Sequence, residues 1–315
     1  MADVKKIATR DSYGATLREL GAEHEDIIVL DADLSGSTRT AVFGKAFPDR
    51  FINCGIAEAD MIGVSGGLAT LGYVPFCSTF AMFLTGRAYE QIRNTIGYPQ
   101  LNVKLCASHA GLSVGEDGAS HQCCEDFALM RNIPGMVVMS PADDVEAKAA
   151  VRAAYAHKGP VYIRLGRAAV PVVFDENHFD FAIGKAQVLR PGKDVAIMAT
   201  GLMVEQAIRA AETLALEGID ARVIDVCTIK PLDEEVTLAA AAECGGIITC
   251  EEHSIIGGLG EAVAALTAEK CPTRVRRVGV EDVFGYSGPW KEVLDGFGLN
   301  AAHIAAEARA LTGKK

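Results

Sequence analysis

Short apolar runs alternate with amphipathic segments along the first half of the chain. The apolar runs predict six strands, which lie at 27–30, 51–53, 73–77, 103–107, 136–139 and 161–165. The amphipathic segments predict helices at 11–24, 59–71, 83–96 and 143–157, and a further helix that ends at Phe47. Because strands and helices alternate, we expect a mostly parallel sheet that is covered by helices on both faces.

The alternation stops between residues 166 and 193, a stretch that contains Pro171 and Pro191, and then resumes. Strands are predicted at 195–199, 221–226, 247–250 and 275–280, and helices at 204–217, 233–243, 257–270, 290–296 and 301–311. We therefore predict an α/β protein of two doubly wound domains with mostly parallel sheets. The first domain spans residues 1–175, a linker spans 176–190, and a smaller second domain spans 191–315.

Composition narrows the classes of function. The chain of 315 residues is 50% hydrophobic and 23% charged, which is typical of a globular protein. Its net charge of −11 argues against a surface for nucleic acid or for an anionic membrane, but it allows a local basic pocket. The stretch from Met1 to Lys6 is polar, and no apolar run approaches the roughly 20 residues of a membrane span. We therefore expect a cytoplasmic protein.

The cysteines give no sign of a disulfide framework or of a metal centre. Nine are scattered along the chain without a Cys-x-x-Cys pair, which favours reduced and mostly buried thiols. Cys250 and His253 together offer two metal ligands, whereas a structural zinc site usually needs four. We predict no metal site on this chain.

The stretch from Gly55 to His121 is the richest in candidate chemistry. Its apolar runs end in loops that carry a carboxylate, two phenylalanines and a pair of imidazoles. Since the carboxyl ends of parallel strands line one crevice, these groups can converge although they are distant in sequence. Glu58 begins a glycine-rich helix, so a simple helix-terminal charge would also explain this residue if it stood alone.

Three motifs follow one another within this stretch. They are Gly-Ile-Ala-Glu at 55–58, Ser-Thr-Phe-x-x-Phe at 78–83 and Ser-His-x-Gly-x-Ser-x-Gly-Glu-Asp-Gly-x-Ser-His-Gln at 108–122. Their order and spacing resemble the pyrimidine-binding domain of transketolases, and with the C-terminal domain the resemblance covers essentially the whole chain. It implies thiamine diphosphate as cofactor, which stores a two-carbon carbanion, and the transfer of a ketol unit from a ketose phosphate to an aldose phosphate.

The resemblance assigns three residues to the cofactor. Glu58 would lie opposite the pyrimidine ring nitrogen and exchange a proton with it, while Phe80 and Phe83 would cradle the ring. Ordinary core packing is the alternative explanation for Phe83. Some relatives carry a tyrosine three residues further on, but this chain has Gly86 there, followed by Arg87, so the resemblance leaves a third wall unassigned.

A second group of residues is assigned to the sugar. The resemblance places Asp117 and His121 at its hydroxyl groups and His109 near its reacting carbons. His109 and His121 would also take part in catalysis. All three surround a loop that is too rich in glycine to predict a helix, and such loops bring side chains to a pocket without burying unpaired backbone groups.

Three further positions match phosphate ligands of the family. They are Arg10, Ser37 and Arg167. Guanidinium groups suit this task because they bind phosphate in a bidentate manner. For the two arginines, a solvated surface position is the alternative explanation.

One expected motif is missing. Full-length transketolases bind the cofactor's diphosphate through a divalent metal held by Gly-Asp-Gly and a downstream Asn, and no Gly-Asp-Gly occurs in this sequence. The chain therefore resembles the C-terminal subunit of a split transketolase. Mg²⁺ or another divalent cation would sit on a partner chain that carries this motif, and two copies of each chain would form an α2β2 assembly. We expect sugar phosphates as ligands, and neither nucleic acid nor membrane as partners.

Three other functions are compatible with these residues. Within the same superfamily, the chain could be a 1-deoxyxylulose-5-phosphate synthase-like fragment or the β subunit of a 2-oxoacid dehydrogenase. The Ser108-His109 pair and the Ser-Val-Gly-Glu-Asp-Gly loop favour transketolase. A non-catalytic regulatory protein with the same fold is the alternative from another class. The C-terminal domain shows no specific chemistry, and we expect it to support assembly.

Overall fold

The computed structural model describes residues 5–313. Residues 1–4, which begin the polar stretch and the first predicted domain, lie outside the described residues. Residues 314 and 315, which end the second predicted domain, also lie outside them. The predicted fold class is confirmed, because two sheets of mostly parallel strands are each combined with helices in the order expected for doubly wound domains. Two short strands, at residues 6–8 and 169–171, form a separate antiparallel sheet.

The elements are numbered in chain order. The strands are β1 (Lys6–Ala8), β2 (Ile27–Asp31), β3 (Phe51–Asn53), β4 (Val74–Phe80), β5 (Lys104–Ser108), β6 (Val137–Met139), β7 (Val161–Arg164), β8 (Ala169–Pro171), β9 (Gln187–Arg190), β10 (Val195–Ala199), β11 (Ala221–Asp225), β12 (Thr228–Lys230), β13 (Ile247–Ser254) and β14 (Val275–Val280). The α-helices are α1 (Thr9–Glu23), α2 (Ser35–Thr38), α3 (Ala41–Ala46), α4 (Glu58–Thr70), α5 (Tyr89–Gln91), α6 (Asp126–Arg131), α7 (Asp144–Ala156), α8 (Met203–Leu216), α9 (Glu234–Glu243), α10 (Leu259–Lys270), α11 (Trp290–Gly296) and α12 (Ala301–Thr312). The chain also contains two 3-10 segments, Pro48–Arg50 and Leu112–Asp117. It contains two π-helical segments, Met82–Arg87 and Ile92–Gly97.

The first sheet has seven strands in the order β12-β6-β7-β5-β4-β2-β3. All neighbours run parallel except β12, which is antiparallel to β6. Strands β2, β4, β5 and β7 are buried along their whole length, which explains why their sequences are largely apolar. Their carboxyl ends therefore meet at one edge, where Phe80 of β4 is paired with Ser108 of β5.

The second sheet has five strands in the order β14-β13-β10-β11-β9. Only β9 runs antiparallel to its neighbour. Helix α10 begins next to strand β13 of this sheet. The backbone N–H groups of Leu259 and Gly260 in its first turn donate to the buried carboxylate of Glu251 at 2.7 and 2.8 Å. This internal carboxylate occupies the N-terminus of α10.

Two parts of the chain differ from the sequence-based expectation. Residues 187–190, which we assigned to the linker, form the edge strand β9. None of its four side chains is fully buried, so the apolar pattern carries little signal. The single helix predicted at 83–96 is wrong, because two π-helical turns flank the three-residue α5 there. The glycine-rich loop at 110–120 contains a 3-10 segment that is kinked at Gly115 (φ +75°).

A buried network of charged groups joins the two sheets. Arg164 Nε donates to Asp126 Oδ2 at 2.9 Å, and its Nη2 donates to the backbone oxygen of Glu252 in β13 at 2.7 Å. The carboxylate of Glu252 in turn accepts a hydrogen bond from the backbone N–H of Ser113. Burial raises the pKa of Glu252 to about 7, although Arg164 acts in the opposite direction. The network fixes the 112–117 segment against the second sheet.

Candidate active site

The residues predicted from sequence gather at the carboxyl edge of the first sheet. Phe80 is the last residue of β4, His109 follows β5, and Arg167 lies three residues beyond β7. Arg10 reaches the same edge from the first turn of α1, because Thr9 Oγ1 accepts a hydrogen bond of 2.8 Å from the backbone N–H of Gly166. Sequence-distant groups are thereby brought into one crevice.

Glu58 is the first residue of α4, and it is only 5% exposed. Its Oε1 accepts a hydrogen bond of 2.9 Å from Arg87 Nη1. The guanidinium carbon of Arg87 also lies 4.2 Å from the centre of the Phe83 ring. Arg87 therefore connects the candidate catalytic carboxylate with a candidate cofactor wall.

Four rings form a continuous aromatic surface beside Glu58. Phe80 and Phe83 are stacked with ring centres 5.8 Å apart. The ring of His109 stacks on Phe80 at 3.8 Å, and the ring of His121 meets Phe83 edge-on at 5.1 Å. Offset stacking and edge-to-face contacts are the arrangements that aromatic quadrupoles favour. The two phenylalanines and the two predicted histidines therefore lie together.

His109 has a strained backbone and a defined tautomer. Its φ of +56° lies in the left-handed region, which is uncommon for a residue with a side chain. Its Nε2 accepts from Arg10 Nη1 at 3.2 Å, since a guanidinium has donors only. The proton of the neutral ring is therefore on Nδ1, which donates to Ser108 Oγ at 2.9 Å. Burial, followed by repulsion from Arg10, Arg167 and Arg39, lowers the pKa of His109 to about 3.

We expect His109 to remain neutral throughout the physiological range. In a histidine-selective NMR titration, its ring signals should not shift between pH 8 and pH 5, because both burial and the arginines disfavour the charged imidazolium. The Arg10→Ala variant should move the midpoint upward, since it removes one positive charge and admits water. A wild-type midpoint near the ordinary value of about 6.5 would contradict this electrostatic assignment.

Cationic groups lie near His109. Arg10 Nη1 donates to the backbone oxygen of Ser37 at 3.0 Å. The pKa of the Arg10 guanidinium is lowered by burial and then by Arg39, with Arg167 a smaller contribution in the same direction. Like charges held this close, with one arginine half-buried, favour an anionic ligand.

The segment around Ser37, which includes the short helix α2, is held by Asp31 at the end of β2. The hydroxyl groups of Thr38 and Thr40 donate to Asp31 Oδ2 at 2.6 and 2.8 Å, and the backbone N–H of Leu34 donates to Oδ1 at 2.6 Å. Arg39, which the sequence did not single out, caps the short helix α2 in the left-handed conformation and pairs with Asp11. Hydrogen bonds to one buried carboxylate thus hold the segment from Leu34 to Thr40.

Arg167 and Asp117 differ in how closely they join the cluster. Arg167 Nη1 donates to Glu116 Oε2 at 2.6 Å and to the backbone oxygen of Val114. The side chain of Glu116 is exposed, so its hold on Arg167 competes with water. Asp117 is also exposed, and within residues 5–313 no hydrogen bond joins its carboxylate to another predicted site residue. Arg167 therefore lies against the 114–116 segment, and Asp117 follows that segment with an exposed side chain.

Residues 5–313 lack two kinds of feature. The described part of the chain contains no group of three or more His, Cys, Asp or Glu side chains that could hold a metal ion. None of its helices is long and apolar enough to cross a membrane.

Comparison with known proteins identifies the family. Residues 5–172 match the pyrimidine-binding domain of transketolase, and residues 184–304 match the transketolase C-terminal domain. A protein of Methanocaldococcus jannaschii named as a transketolase C-terminal section is 50% identical over 298 residues, which are 94% of this chain and 93% of that protein. The chain belongs to the transketolase family.

Two further relatives share nearly the full length of the chain. The 6-deoxy-6-sulfo-D-fructose transketolase subunit of a Clostridium species is 44% identical over 97% of this chain and 95% of its own. A solved structure described as a split gene transketolase in an inactive β4 tetramer superimposes with a TM-score of 0.90 at 49% identity, covering 99% of this chain and all of that one. The transketolase resemblance drawn from the motifs is confirmed at the level of the family and of its C-terminal section.

Transketolases generally use thiamine diphosphate, and the residues at this edge fit one end of it. A buried carboxylate at a helix N-terminus and two stacked phenylalanines match what an aminopyrimidine ring requires, namely a hydrogen-bonding group and flat apolar walls. The Gly-Asp-Gly motif that binds the metal and the diphosphate in full-length relatives does not occur in this sequence. The chain is therefore suited to the pyrimidine end of this cofactor.

Proposed function

We propose that this chain is the C-terminal subunit of a two-chain transketolase. With its partner it transfers a two-carbon ketol unit from a ketose phosphate to an aldose phosphate. The observation that supports this most strongly is the continuous cluster from Glu58, through the rings of Phe83, Phe80 and His109, to the guanidinium of Arg10. One end of this cluster suits a cofactor ring, and the other suits an anionic substrate.

Each residue of the cluster has a separate task in this proposal. When bound, thiamine diphosphate supplies the carbanion-stabilising chemistry. Glu58 holds and moves a proton at the pyrimidine ring nitrogen, and Phe80 and Phe83 pack against the ring and exclude water. His109, neutral and with Nδ1 protonated, presents a fixed ring near the reacting carbons of the sugar, and its Nε2 is engaged by Arg10. His121, beside Phe83, contacts a sugar hydroxyl and takes part in proton transfer.

The phosphate of the sugar binds at the cationic end. Arg10 and Arg167 provide guanidinium donors, and Ser37 provides a further donor from the segment after β2. We propose that the exposed carboxylate of Asp117 contacts a sugar hydroxyl. The phosphate would then replace Glu116 as the partner of Arg167, since the two anions need the same Nη1 atom.

The second end of the cofactor requires another chain. We propose a partner that carries Gly-Asp-Gly and Mg²⁺ or another divalent cation, in an α2β2 assembly. The split gene relative supports this, since its β chain alone forms a tetramer that is described as inactive. The Clostridium relative is likewise named as a subunit.

Reconstitution tests the proposal. This chain, mixed with an N-terminal transketolase subunit, thiamine diphosphate and Mg²⁺, should form a ketose phosphate from xylulose 5-phosphate and an aldose phosphate. A 6-sulfonated ketose should be run in parallel, because guanidinium groups also bind sulfonates and one relative is named for such a sugar. Decarboxylation of a 2-oxoacid without ketol transfer would instead support a synthase or dehydrogenase subunit. Absence of both reactions would support a non-catalytic role.

The two arginines should affect phosphate binding selectively. Loss of a hydrogen bond to a charged group costs about 1.5–3 kcal/mol, so Arg10→Ala and Arg167→Ala should each raise KM for a phosphorylated acceptor roughly ten- to a hundredfold. The KM for an unphosphorylated acceptor should change much less, whereas loss of the contact between Arg10 and His109 should lower kcat with both acceptors. Arg18→Ala is the matched control for Arg10, since Arg18 is an exposed arginine of the same helix. Equal increases in KM with both acceptors would show that the arginines are structural.

A further inference from the structure

Arg87 lies against two groups that the proposed mechanism needs, although the mechanism gives it no task. Its Nη1 donates to Glu58 Oε1 at 2.9 Å, and its guanidinium covers the Phe83 ring at 4.2 Å. Under the proposed function, this carboxylate and this ring both contact the aminopyrimidine of the cofactor. Arg87 therefore occupies two of the contacts that the cofactor requires.

The chemistry of the two partners makes them competitors. A guanidinium carries donors and no acceptor, so it pairs most strongly with a charged carboxylate. The proposed proton exchange requires Glu58 to carry a proton that points to the ring nitrogen. The flat guanidinium and the flat pyrimidine also compete for the face of Phe83, because both stack on aromatic rings.

The two halves of the ion pair differ in how firmly they are held. The side chain of Glu58 is 6% exposed and begins a 13-residue helix, whereas that of Arg87 is 52% exposed. Within residues 5–313, Glu58 and Phe83 are the side chains that Arg87 contacts through a hydrogen bond or cation–π stacking. Its guanidinium can therefore turn toward solvent while Glu58 stays in place.

The backbone around Arg87 is irregular. Arg87 ends the π-helical segment that begins at Met82, and the next residue, Ala88, leaves helical geometry with φ −106° and ψ 18°. Gly86 precedes Arg87, and its missing side chain makes room for the Met82 methyl group, which a Cβ would meet at 2.3 Å. Single π-helical turns inside helices are frequent at functional sites. The turn directs Arg87 toward Glu58 from a segment that is not a regular helix.

We propose that Arg87 is a gate on the pyrimidine pocket. In the chain without cofactor, its guanidinium closes the pocket by pairing with Glu58 and covering Phe83, and it turns toward solvent when an aminopyrimidine binds. This inference rests on the proposed function, because it takes Glu58 and Phe83 as cofactor contacts. It adds that a ligand of this pocket must displace the guanidinium of Arg87 from Glu58 and Phe83.

Binding of the isolated ring to the isolated full chain tests the gate. The probe is 4-amino-5-hydroxymethyl-2-methylpyrimidine, which contains the cofactor's ring and needs no partner subunit or metal. Its dissociation constant is measured by NMR titration for the wild type, Arg87→Ala, Arg87→Lys and the control Arg93→Ala. Arg93 is an exposed arginine of the neighbouring π-helical segment, and it donates to Asn94.

Removal of a competing ion pair should strengthen binding. Arg87→Ala should bind the pyrimidine roughly two- to fivefold more tightly than the wild type, given the usual strength of such pairs. Arg87→Lys should fall between the two, and Arg93→Ala should match the wild type. Equal or weaker binding by Arg87→Ala, or no detectable binding by either protein, would overturn the gate. Ketol transfer by the reconstituted enzyme is measured separately, so the proposed function could survive that result.

Discussion

Glu58→Gln is expected to lower kcat of the reconstituted enzyme by about a hundredfold or more. An amide keeps the size of the side chain and its place at the start of α4, but it cannot exchange a proton with a ring nitrogen. The buried position of Glu58, which is 5% exposed, limits rescue by water. Hydrogen–deuterium exchange at the cofactor's thiazolium carbon, followed by NMR, should slow in parallel with turnover.

A neighbouring acid provides the control for this variant. Asp60 lies two residues further along the same helical turn and is exposed, so Asp60→Asn changes the charge near the helix N-terminus without touching the pocket. We expect it to retain near-normal kcat and exchange. If Glu58→Gln leaves the exchange rate unchanged, Glu58 has no part in proton transfer to the cofactor.

The chain purified alone should be folded but without ketol transfer activity, and the largest gain in activity should come from adding its partner. Under the proposed function, the chain offers a carboxylate and aromatic walls for the pyrimidine ring, but its sequence contains no Gly-Asp-Gly motif for the metal. A diphosphate that lacks its metal and its donors loses much of its binding energy. Cofactor affinity should therefore be poor until the partner is present.

Calorimetry and sedimentation can examine this prediction together. Thiamine diphosphate with Mg²⁺ should bind weakly to the single chain and tightly to the mixture, and the mixture should sediment as α2β2. The fold of the single chain is checked by circular dichroism, which separates a missing partner from a misfolded subunit. Tight binding that depends on metal in the single chain would refute the split arrangement.

The apolar pattern predicted the central part of the fold because parallel central strands are buried on both faces. Strands β2, β4, β5 and β10 coincide closely with the apolar runs, and their order of alternation with helices confirmed the doubly wound class. The short strands β1, β8, β9 and β12 gave no such signal. They have three or four residues each, and their place depends on distant pairing partners.

The candidate site could be predicted only where residues belong to an ordered motif. The spacing of the motifs led to Glu58, Phe80, Phe83 and His109, which lie together in the structure, while their roles stay predictions. In the sequence, Arg87 drew attention only because it follows Gly86, which stands where some relatives carry a tyrosine. Its pairing depends on a π-helical turn, which leaves no periodic trace in sequence.

Arg39 and Glu116 were missed for a related reason. Single charged residues in loops are usually solvated, so neither one is informative before the chain is folded. Arg39 acts on His109 and Arg10 through space, and Glu116 occupies Arg167 across about fifty residues of sequence. Long-range electrostatics of this kind follows from tertiary structure alone.

The pairing of β12 with β6 limits how this chain can be divided or recombined. Residues 228–230 come from the second half of the sequence but complete the edge of the first sheet. A cut near residue 190 would leave the backbone groups of β6 unpaired at an open edge, which invites aggregation. A chimera of two relatives should therefore take residues 137–139 and 228–230 from the same parent. The two domains should therefore be exchanged together when relatives are recombined.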